Sequence, residues 1–388
     1  MSASGTATPD PGTRAPGQAT ADAGPGGAVP VTADVVARWD DVAHGGREPL
    51  IVLESLRAFL DARGLGEGPL VAVPIGDGHS NVTYAVDRGP TRLVVRRPPR
   101  GPLAPSTHDV LREARLLAAL GPAGARVPTV LATCDDPAVL GAPFYVMPFL
   151  DGHVLTDALP AALAAPGSAA AIADGLVDAL VELHAVDPTT DGLAGFGRGT
   201  GYLARQVRRF GGLWDAHATR EVPDLDRVTR ALAAAVPADA ATAVVHGDYR
   251  LGNVMWGPAA PPRIVGILDW EMATIGDPLA DVGYLLASWP QDGDPDDPLV
   301  SLGGVSRGPG FPGRDALLRR YAERSGRAVD AIDFYRVLAL WKAAIFLEGS
   351  RRRFLDGGTD DPFFASLEHG VPALAGRALT IAREAGIA

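Results

Sequence analysis

The sequence predicts an α+β chain built as two lobes. Three observations carry that expectation. Short strand-like runs crowd the part before Asp151, and long Ala- and Leu-rich helical segments fill the part after it. One pair of short apolar runs interrupts the helices, at 243–245 and 264–268, and each run leads into an Asp. Strands first and helices later is the pattern of a segregated α+β architecture. At roughly 150 residues per domain, a chain of 388 residues suits two such units.

In chain order, residues 1–29 are Gly, Pro, Ala, Thr and Ser with almost no large apolar side chains. Such a segment cannot bury enough surface to offset chain entropy, so it reads as a disordered tail. It lacks the apolar stretch of a signal peptide. Residues 30–150 form the expected N-terminal lobe. Helical spacing of apolar residues runs over 50–63, strand-like runs over 70–74, 82–86, 92–97, 128–134 and 144–149, and a helix over 107–120. Turns rich in Pro and Gly separate the strands, as a small antiparallel sheet requires. Residues 151–388 form the expected helical lobe, with helices over 169–186, 201–217, 225–235, 278–288, 314–325, 331–353 and 363–385. The stretch 291–313, rich in Gly, Pro and Asp, reads as a surface loop.

Composition narrows the function. The formal charge of −11 argues against a broad basic surface for nucleic acid. Cys134 is the only cysteine, so no intrachain disulfide can form, and the expected location is cytoplasmic. No apolar run approaches the ~20 residues that a membrane helix needs. The longest, near 337–347, is interrupted by Lys342. Lys342 is also the single lysine among 35 basic side chains, so a cation required near a phosphate is expected to be arginine. The sequence leaves the oligomeric state open.

The strongest chemical signal is the segment Val244-Val245-His246-Gly247-Asp248-Tyr249-Arg250-Leu251-Gly252-Asn253. A buried strand runs into a His-Gly-Asp turn, and an Asn follows the Asp by five residues. The second apolar run then ends at Asp269-Trp270. A carboxylate at the end of a buried strand needs a cation or several donors. A hairpin through Trp256-Gly257-Pro258 would bring Asp248, Asn253 and Asp269 to one end. Two carboxylates and an amide oxygen suit Mg²⁺, which is held by one or two carboxylates plus substrate phosphates. No neighbouring His or Cys pair suggests zinc. On this reading Asn253 and Asp269 hold the metal, and Asp248 takes the proton of an attacking hydroxyl.

The pattern HGD-x4-N followed by ILDW resembles the aminoglycoside phosphotransferase and choline kinase group, within the protein-kinase-like fold. The wider phrases HGDYRLGNVMW, ILDWEMATIGDPLADVGYLL, GYLARQVRRF and WKAAIFLEGSRRRF are similar to a bacterial branch. That branch is related to the kinase domain fused to some acyl-CoA dehydrogenases. The resemblance spans about residues 45–385 and is most specific over 246–285. It implies ATP as phosphoryl donor and the same division of labour among a catalytic-loop Asp, an Asn on metal and a second metal-binding Asp.

A kinase-like site also needs a phosphate-covering loop, a cation on the third strand and an acid on the next helix. The loop candidate is Gly76-Asp77-Gly78-His79-Ser80-Asn81, and the resemblance supports Ser80. Arg96 and Arg97 alternate faces on their strand, so only one can meet the phosphates. Resemblance favours Arg96, with Arg97 as the alternative. Glu113 shares a helix face with Val110 and Leu117 and is expected to pair with Arg96. The alternative is a solvent-exposed pair with Arg112 or Arg115. Met147 would back the adenine. Pro148 offers a carbonyl but no N–H, so the donor to the base would come from Leu150 or Phe149. His184 and His246 read as structural supports. Asp281 reads as an anchor for the catalytic-loop backbone or as simple stabilisation of a helix start. Asp277-Pro278 reads as the N-cap and first residue of that helix.

The partner is a small-molecule acceptor carrying a hydroxyl. Arg205 and Arg209, with Arg208, and Arg351, with Arg352 and Arg353, could hold an anionic acceptor such as a hydroxyacyl-CoA. Two other readings stay open. One is an aminoglycoside or other antibiotic kinase, with an acidic cleft. The other is a nucleotide-binding regulatory module without turnover. The sequence does not choose between ATP and GTP.

Overall fold

A computed structural model describes residues 34–42, 47–76, 81–101, 108–238, 241–357 and 363–388. The expected tail at 1–29 and Ser80 lie outside the described residues. By internal contacts the described chain divides into two units: one running to Val110 and including Ala132–Val146, the other formed by Leu111–Leu131 and Met147–Ala388. The sequence places its boundary near Asp151 and leaves the 110–120 helix with the first part. By contacts most of that helix is grouped with the second unit.

The first unit is organised on a five-stranded sheet in the order Leu70–Ile75, Val82–Arg88, Thr91–Arg97, Phe144–Pro148, Ala132–Cys134. Leu70–Ile75 runs antiparallel to Val82–Arg88, which runs antiparallel to Thr91–Arg97, and Ala132–Cys134 is antiparallel to Phe144–Pro148. Branched and aromatic residues from these strands bury Tyr84, Val86, Leu93, Val95, Phe144 and Val146 against Leu56 and Leu60 of the helix Leu53–Asp61. Phe59 meets Phe144 edge to face, with ring centroids 4.9 Å apart. This is how a sheet covers one face with little length.

The alternation expected at Arg96 and Arg97 is visible. Arg97 is buried, and its guanidinium donates to the carbonyls of Leu50 at 2.5 Å, Leu140 at 2.8 Å and Pro98 at 3.2 Å. These bonds tie the strand to two neighbouring segments. Arg96 is half-buried on the opposite face, its Nη1 3.4 Å from Thr83 Oγ1.

The second unit is mainly helical. Ile332–Leu355 is its axis, packed against Phe363–Glu384, Leu279–Ala287 and Tyr202–His217. Ser168–Ala185 buries the stripe Ile172, Leu176, Leu180 and His184. Among the described residues, no helix is long and apolar enough to cross a membrane. The strands differ from expectation. Ala243–Val245 does not pair with the 264–268 run; it pairs antiparallel with Thr274–Gly276. Ile264–Ile267 pairs instead with Val254–Trp256, which also borders His153–Val154. Strands of two to four residues are too short for a period-2 pattern to reveal their partners. The expected 291–313 loop contains a helical turn, Pro298–Ser301, capped by Asp297, and a 3₁₀ turn, Gly304–Arg307.

Gly283 sets how closely two helices approach. A Cβ there would lie 2.5 Å from the carbonyl carbon of Tyr335 and 2.6 Å from its oxygen, so Leu279–Ala287 and Ile332–Leu355 touch backbone to backbone. Gly283→Ala should destabilise the protein by about 1–3 kcal/mol through overpacking. In thermal unfolding this appears as a lower Tm, and an unchanged Tm would show that the two helices separate freely.

Candidate active site

The buried strand Ala243–Val245 delivers the chain into the His246-Gly247-Asp248 turn. Gly247 holds φ at 87°, and a Cβ at this position would fall 2.7 Å from the Met272 carbonyl oxygen. Only glycine meets both demands. After Tyr249 and Arg250, Leu251–Asn253 makes a 3₁₀ turn and then enters the strand Val254–Trp256.

Asp281, fully buried in the first turn of Leu279–Ala287, holds the turn from below. Its two carboxylate oxygens accept the backbone N–H of His246 at 2.7 Å and of Gly247 at 2.8 Å. His184 Nε2 stands 3.2 Å from the same carboxylate, and its Nδ1 is 2.8 Å from the Tyr321 hydroxyl. Burial alone would raise the Asp281 carboxyl. The hydrogen bond and charge of His184, then the His246 ring and the Gly247 N–H, outweigh it and hold the group below the ordinary carboxylate range. One turn earlier, Asp277 accepts the Leu279 N–H at 3.0 Å and the Tyr335 hydroxyl at 2.7 Å. The helix therefore starts one residue later than Asp277-Pro278 suggests, with Pro278 in the capping position and the Asp277 side chain still capping it.

His246 closes a second set of bonds. Its Nε2 is 2.9 Å from the Leu268 carbonyl oxygen, which can only accept. Its Nδ1 lies 3.2 Å from the Asp248 N–H, which can only donate. These partners assign a neutral imidazole with the proton on Nε2 and fill both nitrogens. His246 thus braces the turn and has no nitrogen left to serve as a base.

The hairpin of Val254–Trp256 and Ile264–Ile267 aligns the rest. Its register sets Val254 opposite Ile267, and the Leu268 N–H reaches the Asn253 carbonyl at 2.8 Å. Asn253 Nδ2 donates to Asp248 Oδ2 at 2.7 Å and to the Asp248 carbonyl at 2.9 Å. Both bonds of the amide nitrogen point to Asp248, which turns the amide oxygen the other way. Asp269 follows Leu268 with φ at 64°, in the left-handed region that non-glycine residues rarely enter. Among the described residues Asp248, Asn253 and Leu268 are thus linked in one hydrogen-bonded chain, and Asp269 follows Leu268 in sequence.

The oxygens left over define what this arrangement can do. Asp248 Oδ1 is buried and, among the described residues, meets no hydrogen-bond geometry; Arg250 Nε stands 3.6 Å from it, and the Tyr284 side chain interacts with the same carboxylate. A buried, unsatisfied carboxylate oxygen is costly and marks a position where a donor is expected to arrive. Asn253 and Asp269 supply hard oxygen donors of the type Mg²⁺ takes, and no group of three or more His, Cys, Asp or Glu among the described residues forms a fuller metal cage. Two protein ligands fit an ion completed by phosphate oxygens.

The remaining expected residues are placed as follows. Glu113 is buried, and its Oε1 is 3.3 Å from the Trp270 N–H, beside Asp269. Its neighbour Arg112 donates to the carbonyls of Phe196 and Ala273, so Arg112 is spent on the scaffold. Met147, Pro148 and Leu150 are half-buried, and Leu150 fits over Gly266, where a Cβ would come within 2.7 Å of it. The Arg205 guanidinium bonds the carbonyls of Arg198 and Thr200, and Arg209 is exposed one turn further on. Arg351 bonds Thr219 Oγ1 and faces Glu348 at 3.7 Å. Sequence reasoning passed over Arg250, Tyr284 and Lys342. Tyr284 is pushed well up by burial and by the negative charge of Asp248. The uniqueness of Lys342 was the only available signal for it.

Residues 71–341 match the phosphotransferase enzyme family. Acyl-CoA dehydrogenase family member 10 of Mus musculus is 33% identical over 299 residues, covering 75% of this chain and 27% of that protein. Acyl-CoA dehydrogenase family member 11 of Gallus gallus is 34% identical over 304 residues, covering 75% of this chain and 38% of the relative. The chain therefore spans roughly a quarter to two fifths of the length of these relatives. Among solved structures, a candidate aminoglycoside phosphotransferase from Ralstonia eutropha superposes with a TM-score of 0.73 at 29% identity, covering 85% of this chain and 98% of that one. A macrolide 2′-phosphotransferase from Brachybacterium faecium shares the fold, with a TM-score of 0.53 at 21% identity over 83% of this chain and 98% of its own.

The depressed Asp281 carboxyl makes a pH-dependent prediction. A group held below its unfolded value contributes stability above the unfolded range and loses it as pH falls through the folded value. Asp281→Asn should cost about 3–5 kcal/mol near neutrality, because the two N–H groups and His184 lose a charged acceptor. The Tm gap from wild type should stay constant above about pH 5 and close as pH drops below about 4. A gap that persists unchanged into acid would show that the charge of Asp281 is irrelevant to the turn.

Proposed function

Because the chain belongs to the phosphotransferase enzyme family, we propose that it moves the γ-phosphoryl group of ATP to a hydroxyl of a small metabolite. The products are ADP and a phosphate ester. The observation that carries this reading is the buried Asp248 Oδ1, without a hydrogen-bond partner among the described residues, on a turn fixed by Asp281, His246 and Asn253. An acceptor hydroxyl would satisfy that oxygen, and its proton would pass to Asp248 as the oxygen attacks phosphorus. Phosphoryl transfer asks the protein mainly for in-line positioning and charge neutralisation.

In this proposal Asn253 and Asp269 hold Mg²⁺, which when bound neutralises the charge of the phosphates. Arg96 and Ser80 contact the phosphates, and Glu113 supports the strand-borne arginine. Met147, Pro148 and Leu150 border the adenine. Arginine in place of lysine can bind phosphate bidentately. The bonds already made by Arg97 to three carbonyls support Arg96 as the phosphate partner.

For the acceptor we infer an anionic metabolite, with a hydroxyacyl-CoA as the leading class. Arg205 makes its bonds to neutral carbonyls, so its charge is not offset by them, and Arg209 is exposed nearby on the same helix. Arg351 is the poorer candidate because Glu348 faces it. The curated relatives carry acyl-CoA dehydrogenase in their names, which supports thioester chemistry. A cytoplasmic location accords with ATP as donor.

A transfer assay with Mg·ATP over a panel of hydroxyacyl thioesters, choline and aminoglycosides tests the reading. Wild type should phosphorylate a hydroxyacyl thioester, and Asp248→Asn should lower kcat by about 100- to 10,000-fold while still binding ATP. Asp269→Asn should abolish the Mg²⁺ dependence of ATP binding. Binding of Mg·ATP with no transfer to any acceptor would make the chain a nucleotide-binding module. Turnover of aminoglycosides alone would reverse the acceptor assignment.

A further inference from the structure

Lys342, the single lysine of the chain, sits in the middle of the apolar axial helix Ile332–Leu355. Its ammonium nitrogen lies 4.8 Å from the centroid of the Phe210 ring, a cation–π contact. Its side chain lines a small enclosed pocket with Tyr202, Gly247, Asp281, Tyr284 and Tyr335. Gly247 directly precedes Asp248, so this pocket backs onto the turn that carries the proposed base. Among the described residues no carboxylate lies within ion-pair distance of Lys342.

We propose that Lys342 is a positioning residue for phosphoryl transfer. Its ammonium, set behind the Gly247–Asp248 turn, balances the negative charge gathered there and keeps the Asp248 side chain directed at the acceptor hydroxyl. The proposal rests on the reading of Asp248 as the base.

Three considerations lead here. The first is placement. Lys342 reaches the pocket from one helix, Tyr202 from Tyr202–His217, Asp281 and Tyr284 from Leu279–Ala287, and Gly247 from the turn itself. Two neighbouring helices thus present polar groups to the pocket that Lys342 lines. The second is charge. Asp248 and Asp281 lie on or next to the turn; among the described residues Arg250 stands 3.6 Å from Asp248 and His184 3.2 Å from Asp281. Lys342 adds one further cation, on the far side of Gly247.

The third is cost. Burial lowers the Lys342 ammonium to about 8; the charge of Asp281 opposes that fall, Arg209 adds to it, and Asp248 opposes it again. A lysine whose folded value lies below its unfolded one reduces stability while it is charged, and the penalty disappears as pH rises above the unfolded value. A methionine of similar shape would avoid the penalty. A group kept at the expense of stability, beside the catalytic turn, is the pattern of a functional constraint.

The test compares wild type, Lys342→Met and Lys342→Arg, using Mg·ATP with a medium-chain hydroxyacyl-CoA and, separately, with water as acceptor. Lys342→Met should lower kcat about tenfold or more. Its ATP affinity and its KM for the thioester should stay near wild type, and its Tm should match or exceed wild type. Lys342→Arg should recover most of the rate. The wild-type rate should fall as pH rises through about 8, and Lys342→Arg should move that fall to higher pH. The wild-type profile and the arginine variant decide the matter even if the methionine variant does not fold.

A Lys342→Met enzyme with wild-type kcat and an unchanged alkaline limb overturns the proposal. A raised thioester KM at unchanged kcat also overturns it, since Lys342 would then bind acceptor and leave the base alone. If wild type transfers to neither thioester nor water, the phosphotransferase reading fails first, and the role of Lys342 falls with it.

Discussion

Two backbone N–H groups on one buried carboxylate hold the candidate site together. His246 and Gly247 donate to Asp281, and without that acceptor the turn has no defined shape. A carboxylate with no exposure survives only because donors surround it: two amides, His184 and, behind His184, the hydroxyl of Tyr321. The helix that carries Asp281 is in turn fixed by the bare backbone of Gly283 against Tyr335. The position of Asp248 is therefore set by packing between helices as much as by its own loop.

From that anchor a second chain of bonds runs outward. His246 reaches Leu268, Leu268 reaches Asn253, and Asn253 reaches Asp248. Each bond consumes one donor and one acceptor, so very few groups are left with spare capacity. Among the described residues the exception on this turn that matters for chemistry is Asp248 Oδ1. A scaffold that satisfies nearly everything makes its few unsatisfied atoms informative.

The same logic explains the contrast between the two kinds of basic residue. Arg97, Arg112 and Arg351 are absorbed by carbonyls or carboxylates and serve the fold. Lys342 is held against an aromatic ring and opens toward a pocket shared with the catalytic turn. Burial, which makes the first group structural, makes the lysine chemically unusual, because an ammonium loses more in a dry site than a hydrogen-bonded guanidinium does.

The sequence by itself determined the α+β order and the helical axis of the second part, and it singled out Asp248, Asn253 and Asp269 as candidates. Those features are local: a period of 3.6, a strand running into a glycine turn, and carboxylates at fixed spacing reveal themselves within a dozen residues. It misread the partner of Ala243–Val245, since a three-residue strand carries no mark of which neighbour it will meet. It also left Asp281 between anchor and helix-start stabiliser, and Lys342 as an interruption in an apolar run. Only the tertiary structure decided these, because their meaning lies in atoms about 35 to 100 positions away in the chain. A hydrogen bond or a pocket wall is a relation between distant segments, and no periodicity along one segment records it.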